Sequence, residues 1–132
     1  MPHDLGFMNE IDKEFGCCAK SSIDTSAGVL RGRPYGGTAL MWRTSLFTSV
    51  DIVQCDSDRI VAMRLSIDTR SILVFSVYMP TDCVDNLPEF TQCLAIISAA
   101  IESVDTECVV ILGDFNAHPG TLYWKRAGGI LW

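Results

Sequence analysis

Apolar residues fall along this chain in two rhythms, and the change comes at Thr38. Before it, Leu5, Phe7, Met8, Ile11 and Phe15 recur at three- and four-residue steps. That spacing predicts a short amphipathic helix over 5–15, with Gly16 as its stop. Residues 21–37 are rich in Ser, Thr, Gly, Arg and Pro and read as a loop ending in Gly36-Gly37. From Thr38 four short runs rich in Val, Ile, Leu, Phe and Thr read as strands, at 38–43, 49–55, 59–67 and 71–79. Asp56-Ser57-Asp58 and Asp68-Thr69-Arg70 separate the later runs, as turns do between antiparallel strands. Residues 59–65 alternate only in part, so one face is expected to be less buried than in the next strand. Residues 72–77 are apolar except for Ser76, as in a strand covered on both faces.

A helix follows. Asn86 is placed as its N-cap, with Glu89 three residues later and Pro88 in the first turn. Leu87, Phe90, Leu94, Ile97, Ile101 and Val104 then make one apolar stripe. Another strand is expected over 107–112. Strand, helix and strand over this length predict a right-handed crossover between parallel strands. A meander followed by a crossover is a mixed α/β layered fold.

Composition narrows the class. With 132 residues, 48% of them hydrophobic and 20% charged, the chain has the make-up of a globular domain and not of a disordered segment. Apolar stretches such as 108–112 are too short to cross a bilayer. Met1-Pro2-His3-Asp4-Leu5-Gly6 is unlike a signal peptide, so an intracellular setting, nuclear or cytoplasmic and reducing, is expected, with no membrane partner. The six cysteines have no zinc-ligand spacing, and Cys17 and Cys18 are adjacent. They read as reduced thiols without disulfide partners. Cys93, on the apolar side of the helix, and Cys108, inside an apolar run, are expected to be buried.

The net charge of −6 excludes nucleic-acid binding driven by charge alone. Residues 1–43 balance five acids with five bases, whereas 71–124 hold seven acids and no Lys or Arg. If that stretch handles phosphate, a metal ion or another segment must bring the positive charge. A solvated acidic face is the plainer reading of the composition.

Chemistry concentrates where two strands end. The run Val109-Val110-Ile111-Leu112 leads into Gly113-Asp114-Phe115-Asn116-Ala117-His118, and open α/β sheets bind ligands beyond such strand ends. In extended backbone Asp114 and Asn116 would point one way and Phe115 back into the core. A carboxylate can orient or deprotonate an attacking water, and an amide can hydrogen-bond charge growing on phosphate oxygens. Taken alone, this stretch is more simply a turn capped by Asp and Asn. Tyr78, ending the strand before the crossover in Val77-Tyr78-Met79-Pro80, adds weight to the site: parallel strands would bring it out on the same side as Asp114. An ordinary half-buried strand tyrosine is the alternative.

The pair Val77-Tyr78-Met79-Pro80 and Gly113-Asp114-Phe115-Asn116-Ala117, separated by one helix, resembles the endonuclease/exonuclease/phosphatase superfamily. Gly36-Gly37-Thr38-Ala39-Leu40-Met41-Trp42, with Leu30-Arg31-Gly32-Arg33-Pro34-Tyr35 before it, resembles the endonuclease of LINE-type (non-LTR) retrotransposons. The resemblance implies a partial four-layer α/β/β/α sandwich of DNase I-like type with mixed sheets, over residues 1–120, and a divergent tail over 121–132. It further implies a Mg2+- or Mn2+-dependent phosphodiesterase whose parent nicks DNA by in-line attack of water. Asp114 would orient the water and is a candidate metal ligand. Asn116 would stabilise the transition state, and Tyr78 would contact phosphate or the catalytic network. His118 and Arg33 are candidates for substrate contact, His118 as a non-catalytic loop histidine and Arg33, like Arg31, as a loop charge within reach of a DNA backbone.

Some of the family's pattern is missing. Its Glu metal ligand and first Asn motif are expected before residue 1, and its Ser-Asp-His motif after residue 132. The chain by itself is therefore expected to be inactive. A non-catalytic remnant or interaction module, and a small-molecule phosphatase of the same superfamily, are the other readings.

Overall fold

The computed structural model describes residues 10, 12–21 and 36–117. Strand β1 (Phe15–Lys20) pairs antiparallel with β2 (Thr38–Arg43), forming a two-stranded sheet. Gly16 is therefore not a helix stop. It lies opposite Trp42, and a Cβ there would stand 2.4 Å from the indole. The absent side chain gives the ring its place against the strand.

The second sheet has the order β3 (Ser49–Val53), β4 (Ile60–Ile67), β5 (Arg70–Tyr78), β6 (Cys108–Asp114). The first three form an antiparallel meander turning at the predicted Asp-rich segments. Helix α1 (Leu87–Ser103) then carries the chain over to β6, which runs parallel to β5. Both the crossover and its parallel sense agree with the sequence. The result is a mixed α/β fold with mixed sheets. Of the four expected layers, three are present among the described residues: α1, the large sheet and the small one.

Alternation along β5 sorts its side chains. Leu73, Phe75 and Val77 are buried against α1 with Ile60, Ala62 and Met79, facing Cys93, Ile97 and Ala100 of the helix. Each large apolar side chain in this layer contributes about 1.5–3 kcal/mol by leaving water. The buried helix face is turned slightly from the predicted stripe: Phe90, Ile97, Ile101 and Val104 pack inward, whereas Leu87 and Leu94 are exposed. Cys93 and Ala100 take the inner positions because small side chains let the helix sit close to the sheet.

The other sheet face meets β1 and β2. Lys20 Nζ donates to the carbonyls of Cys55 (2.6 Å) and Ser57 (2.8 Å), and the Thr38 and Ser76 hydroxyls hydrogen-bond each other. These bonds tie the small sheet to the large one. Strand β4 is consequently buried on both faces, with Val61, Met63 and Leu65 covered as well as Ile60 and Ala62. The expectation of a less buried face failed because β4 lies between two strands and between two layers. An apolar groove of about 490 Å³ remains between the sheets, bordered by Trp42, Phe47, Leu65, Val74 and Leu112.

Strand β6 pairs only with β5 among the described residues, and Val109, Leu112 and Phe115 are exposed along it. Cys108, expected inside, is exposed for the same reason. Of the cysteines, Cys55 and Cys93 are buried and Cys83, like Cys108, is exposed. No described helix is long and apolar enough to cross a membrane. The sequence expectations for His3, residues 5–9 and 11 of the helix expected over 5–15, residues 22–35 of the loop expected over 21–37 with Arg31 and Arg33, His118, the boundary at 120 and the tail over 121–132 lie outside the described residues.

Candidate functional site

Parallel pairing puts Tyr78 directly beside Asp114 at the C-terminal edge of β5 and β6. The adjacent pair, Val77 and Gly113, explains how close the strands run there. Gly113 has φ +134°, and a Cβ on it would lie 1.9 Å from the Val77 carbonyl oxygen. No L side chain fits that backbone or that gap. Glycine at this point lets β6 continue to Asp114, two residues beyond the predicted end.

After Asp114 the chain turns. Asn116 takes a left-handed conformation (φ +47°), and its backbone N–H donates to Asp114 Oδ1 at 2.9 Å. Its side-chain Nδ2 donates to the Met79 carbonyl at 2.8 Å, while Met79 N–H donates to the Asp114 carbonyl at 2.8 Å. Asp82 N–H donates to the Asn116 carbonyl at 3.1 Å, fastening the loop after β5 to the same turn. The extended arrangement expected for 114–116 is therefore replaced by an Asx-type turn, and Phe115 is exposed and not in the core. Asn is suited to this place twice over: it tolerates left-handed backbone, and its amide ties the two strand ends.

These bonds leave some groups uncommitted. Among the described residues, Asn116 keeps a second amide N–H and its Oδ1 without a partner. Among the described residues no hydrogen bond engages Asp114 Oδ2, and Asp114 is exposed. Tyr78 is half-buried and Pro80 buried. The inter-sheet groove does not reach Tyr78, Asp114 or Asn116.

The structure brings a fourth residue to this edge. Arg59 lies opposite Tyr78 across the β4–β5 pair, with Tyr78 N–H donating to its carbonyl at 2.9 Å. Its guanidinium stands 5.5 Å from the Tyr78 ring centroid, donates through Nη1 to the Tyr78 carbonyl (3.3 Å) and through Nε to Glu89 of α1 (2.7 Å). Partial burial works against the Arg59 charge, but the hydrogen bond and charge of Glu89 outweigh it and hold the group above its ordinary value. Sequence reasoning passed over Arg59 although a signal existed. Pairing Ile67 with Arg70 across the predicted turn counts back to Arg59 opposite Tyr78.

Magnesium prefers an octahedron of oxygens, commonly one or two carboxylates completed by water and phosphate. Among the described residues no three His, Cys, Asp or Glu side chains come together. Asp114 offers one carboxylate, so the described residues do not make a complete metal site.

No family model and no curated protein matches the chain. Solved structures do. A humanized D. rerio TDP2 carrying 14 mutations superposes with a TM-score of 0.54 at 14% identity, over 99% of this chain and 51% of that one. ANGEL2, a 2',3'-cyclic phosphatase in complex with adenosine-2',3'-vanadate, superposes with a TM-score of 0.59 at 24% identity, over 94% and 39%. Both are members of the endonuclease/exonuclease/phosphatase superfamily. At these identities the likeness establishes the fold: a partial match to DNase I-like proteins, spanning about half of one relative and less of the other.

Proposed function

We propose that this chain forms the water- and phosphate-facing part of a phosphodiester hydrolase whose parent reaction is nicking of DNA. One observation carries the reading: Tyr78 and Asp114 are paired in register at a parallel-strand end, with Asn116 anchored next to the pair on the Met79 carbonyl. An anchored amide with a spare N–H can donate to a phosphate oxygen without reorganising, which is what makes a donor effective on growing charge. Asp114, with one oxygen held by the turn, presents the other to a water and takes its proton as the oxygen attacks phosphorus, while the ester P–O bond opposite breaks and its oxygen leaves as an alcohol, protonated from solvent. Tyr78 offers a phenol to the same phosphate. The motif resemblance to retrotransposon endonucleases favours DNA as substrate.

The described residues do not complete a metal site, and the purified chain should not nick supercoiled plasmid in Mg2+ or Mn2+. Nicking that Asp114→Ala and Asn116→Ala both abolish would mean that another residue supplies the missing function. The site itself is tested by an NMR titration with dimethyl phosphate. Amide shifts should centre on Tyr78, Asp114 and Asn116, and shifts confined elsewhere would overturn the assignment. A second reading, a phosphatase, is favoured by the likeness to ANGEL2, described as a 2',3'-cyclic phosphatase. Tighter binding of a nucleoside 2',3'-cyclic phosphate than of dimethyl phosphate at the same amides would favour it.

A further inference from the structure

We propose that Arg59 is the phosphate-binding cation of this edge and that Glu89 competes with the phosphate for it. The inference rests on the phosphate reading above and adds a residue and a form of control to it.

The acidic stretch needs a positive charge from elsewhere, since residues 71–124 contain seven acids and no Lys or Arg. The β3–β4 turn delivers one. Strand order β4-β5-β6 with the observed register places Arg59, just before β4, beside Tyr78 and Asp114 at the ends of β5 and β6. Neighbouring strands are about 4.8 Å apart, so a phosphate lying over Tyr78 is within reach of both flanking residues. The guanidinium is already over the Tyr78 ring, oriented by Nη1 on the Tyr78 carbonyl. Its Nη2 makes no hydrogen bond among the described residues and is not among the buried unpartnered groups. A planar guanidinium held through Nη1 keeps Nη2 for an oxyanion, and displacing Glu89 would add Nε beside it, the forked arrangement in which arginine exceeds lysine.

Glu89 gives the arrangement its second property. It binds Arg59 through Nε at 2.7 Å, with side-chain exposures of 23% for Arg59 and 49% for Glu89. A carboxylate this exposed gains little net energy from its pair. It nevertheless cancels most of the charge that an approaching phosphate would feel. The pair thus acts as a counter-ion to be displaced, and Arg59 and Glu89 should affect phosphate binding in opposite senses. A purely structural ion pair has no such sign difference, because breaking it from either side loosens the same edge.

The experiment is the dimethyl phosphate titration of the full chain, repeated on Arg59→Gln, Arg59→Lys and Glu89→Gln. A direct charged hydrogen bond, discounted for exposure, amounts to roughly a five-fold weakening in Arg59→Gln. Arg59→Lys should recover part of this, and Glu89→Gln should bind roughly two- to three-fold tighter than the parent. Weaker or unchanged binding in Glu89→Gln overturns the proposal, even if Arg59→Gln does not fold. Parental binding in both Arg59 variants overturns it too. Edge shifts that ignore Arg59 and Glu89 leave the phosphate reading standing while this inference falls. Absence of edge shifts in the parent chain removes both.

Discussion

Replacing Gly113 with alanine is the sharpest test of how the strand ends are built. The new Cβ would meet the Val77 oxygen at 1.9 Å and the Val77 nitrogen and carbonyl carbon at 2.9 Å, all of them backbone atoms that cannot rotate aside. The residue must also hold φ +134°, where a side chain adds about 1–3 kcal/mol of strain. Relief requires β6 to move from β5 by more than an ångström. That movement stretches the Met79 N–H to Asp114 bond (2.8 Å) and the Asn116 amide to Met79 bond (2.8 Å), each worth about 1 kcal/mol net. The total is about 3–5 kcal/mol, a large share of the 5–15 kcal/mol typical of whole domains. Urea unfolding followed by far-ultraviolet circular dichroism measures it. Gly16→Ala is the comparison, since its Cβ meets the Trp42 side chain and not backbone, and should cost about 1–3 kcal/mol. Gly113→Ala within 1 kcal/mol of the parent would refute the argument from close approach.

The thiols make a pH prediction. Burial raises the Cys55 and Cys93 thiols above the ordinary 9.0, with Lys20 opposing in part at Cys55 and Glu89 adding to the rise at Cys93. A raised folded-state value means that stability is complete below the unfolded value and is lost as pH climbs through the folded one, so the urea midpoint should fall above about pH 9. A midpoint flat to pH 10.5 would contradict this. In native buffer a thiol reagent should modify exposed Cys83 and Cys108 quickly, and Cys55 and Cys93 only on unfolding. Asn116→Ala should destabilise by about 1–2 kcal/mol and Asn116→Gly by less, because glycine accepts the left-handed backbone and loses only the amide bond. Equal losses would show that the conformation is not held by that preference.

What could be read in advance followed from local rules. Asp-rich turns set the β3–β4–β5 meander, and the helix between two apolar strands forced a parallel β5–β6 pair, so Tyr78 and Asp114 were brought together correctly. Features needing distant partners were missed. Phe15 belongs to β1 because Gly16 accepts Trp42 from a strand more than twenty residues away, and a helical rhythm near the N-terminus carried no sign of that. Leu94 fits an apolar stripe by spacing, yet small Cys93 and Ala100 fix the helix rotation that leaves it outside. Asn116 departed from strand alternation because local hydrogen bonds to Asp114 and Met79 outweigh continued extension beyond a glycine. Arg59 was legible through register but not through any motif.

The crossover has a consequence for how the edge comes and goes. The Asn116 to Met79 bond closes a separation of 37 residues, and the 17 residues of α1 are the longest element within it. Tyr78 and Asp114 become neighbours only while that helix is docked through Phe90, Cys93 and Ile97. The candidate site therefore belongs to a cooperative opening unit with the helix, and it has no independent existence as a loop. Amide exchange at Asn116 should occur with the same opening free energy as exchange in the middle of α1. A helix-loosening substitution such as Ile97→Ala, buried well away from any proposed substrate contact, would then disassemble the edge in the same proportion as it loosens the helix.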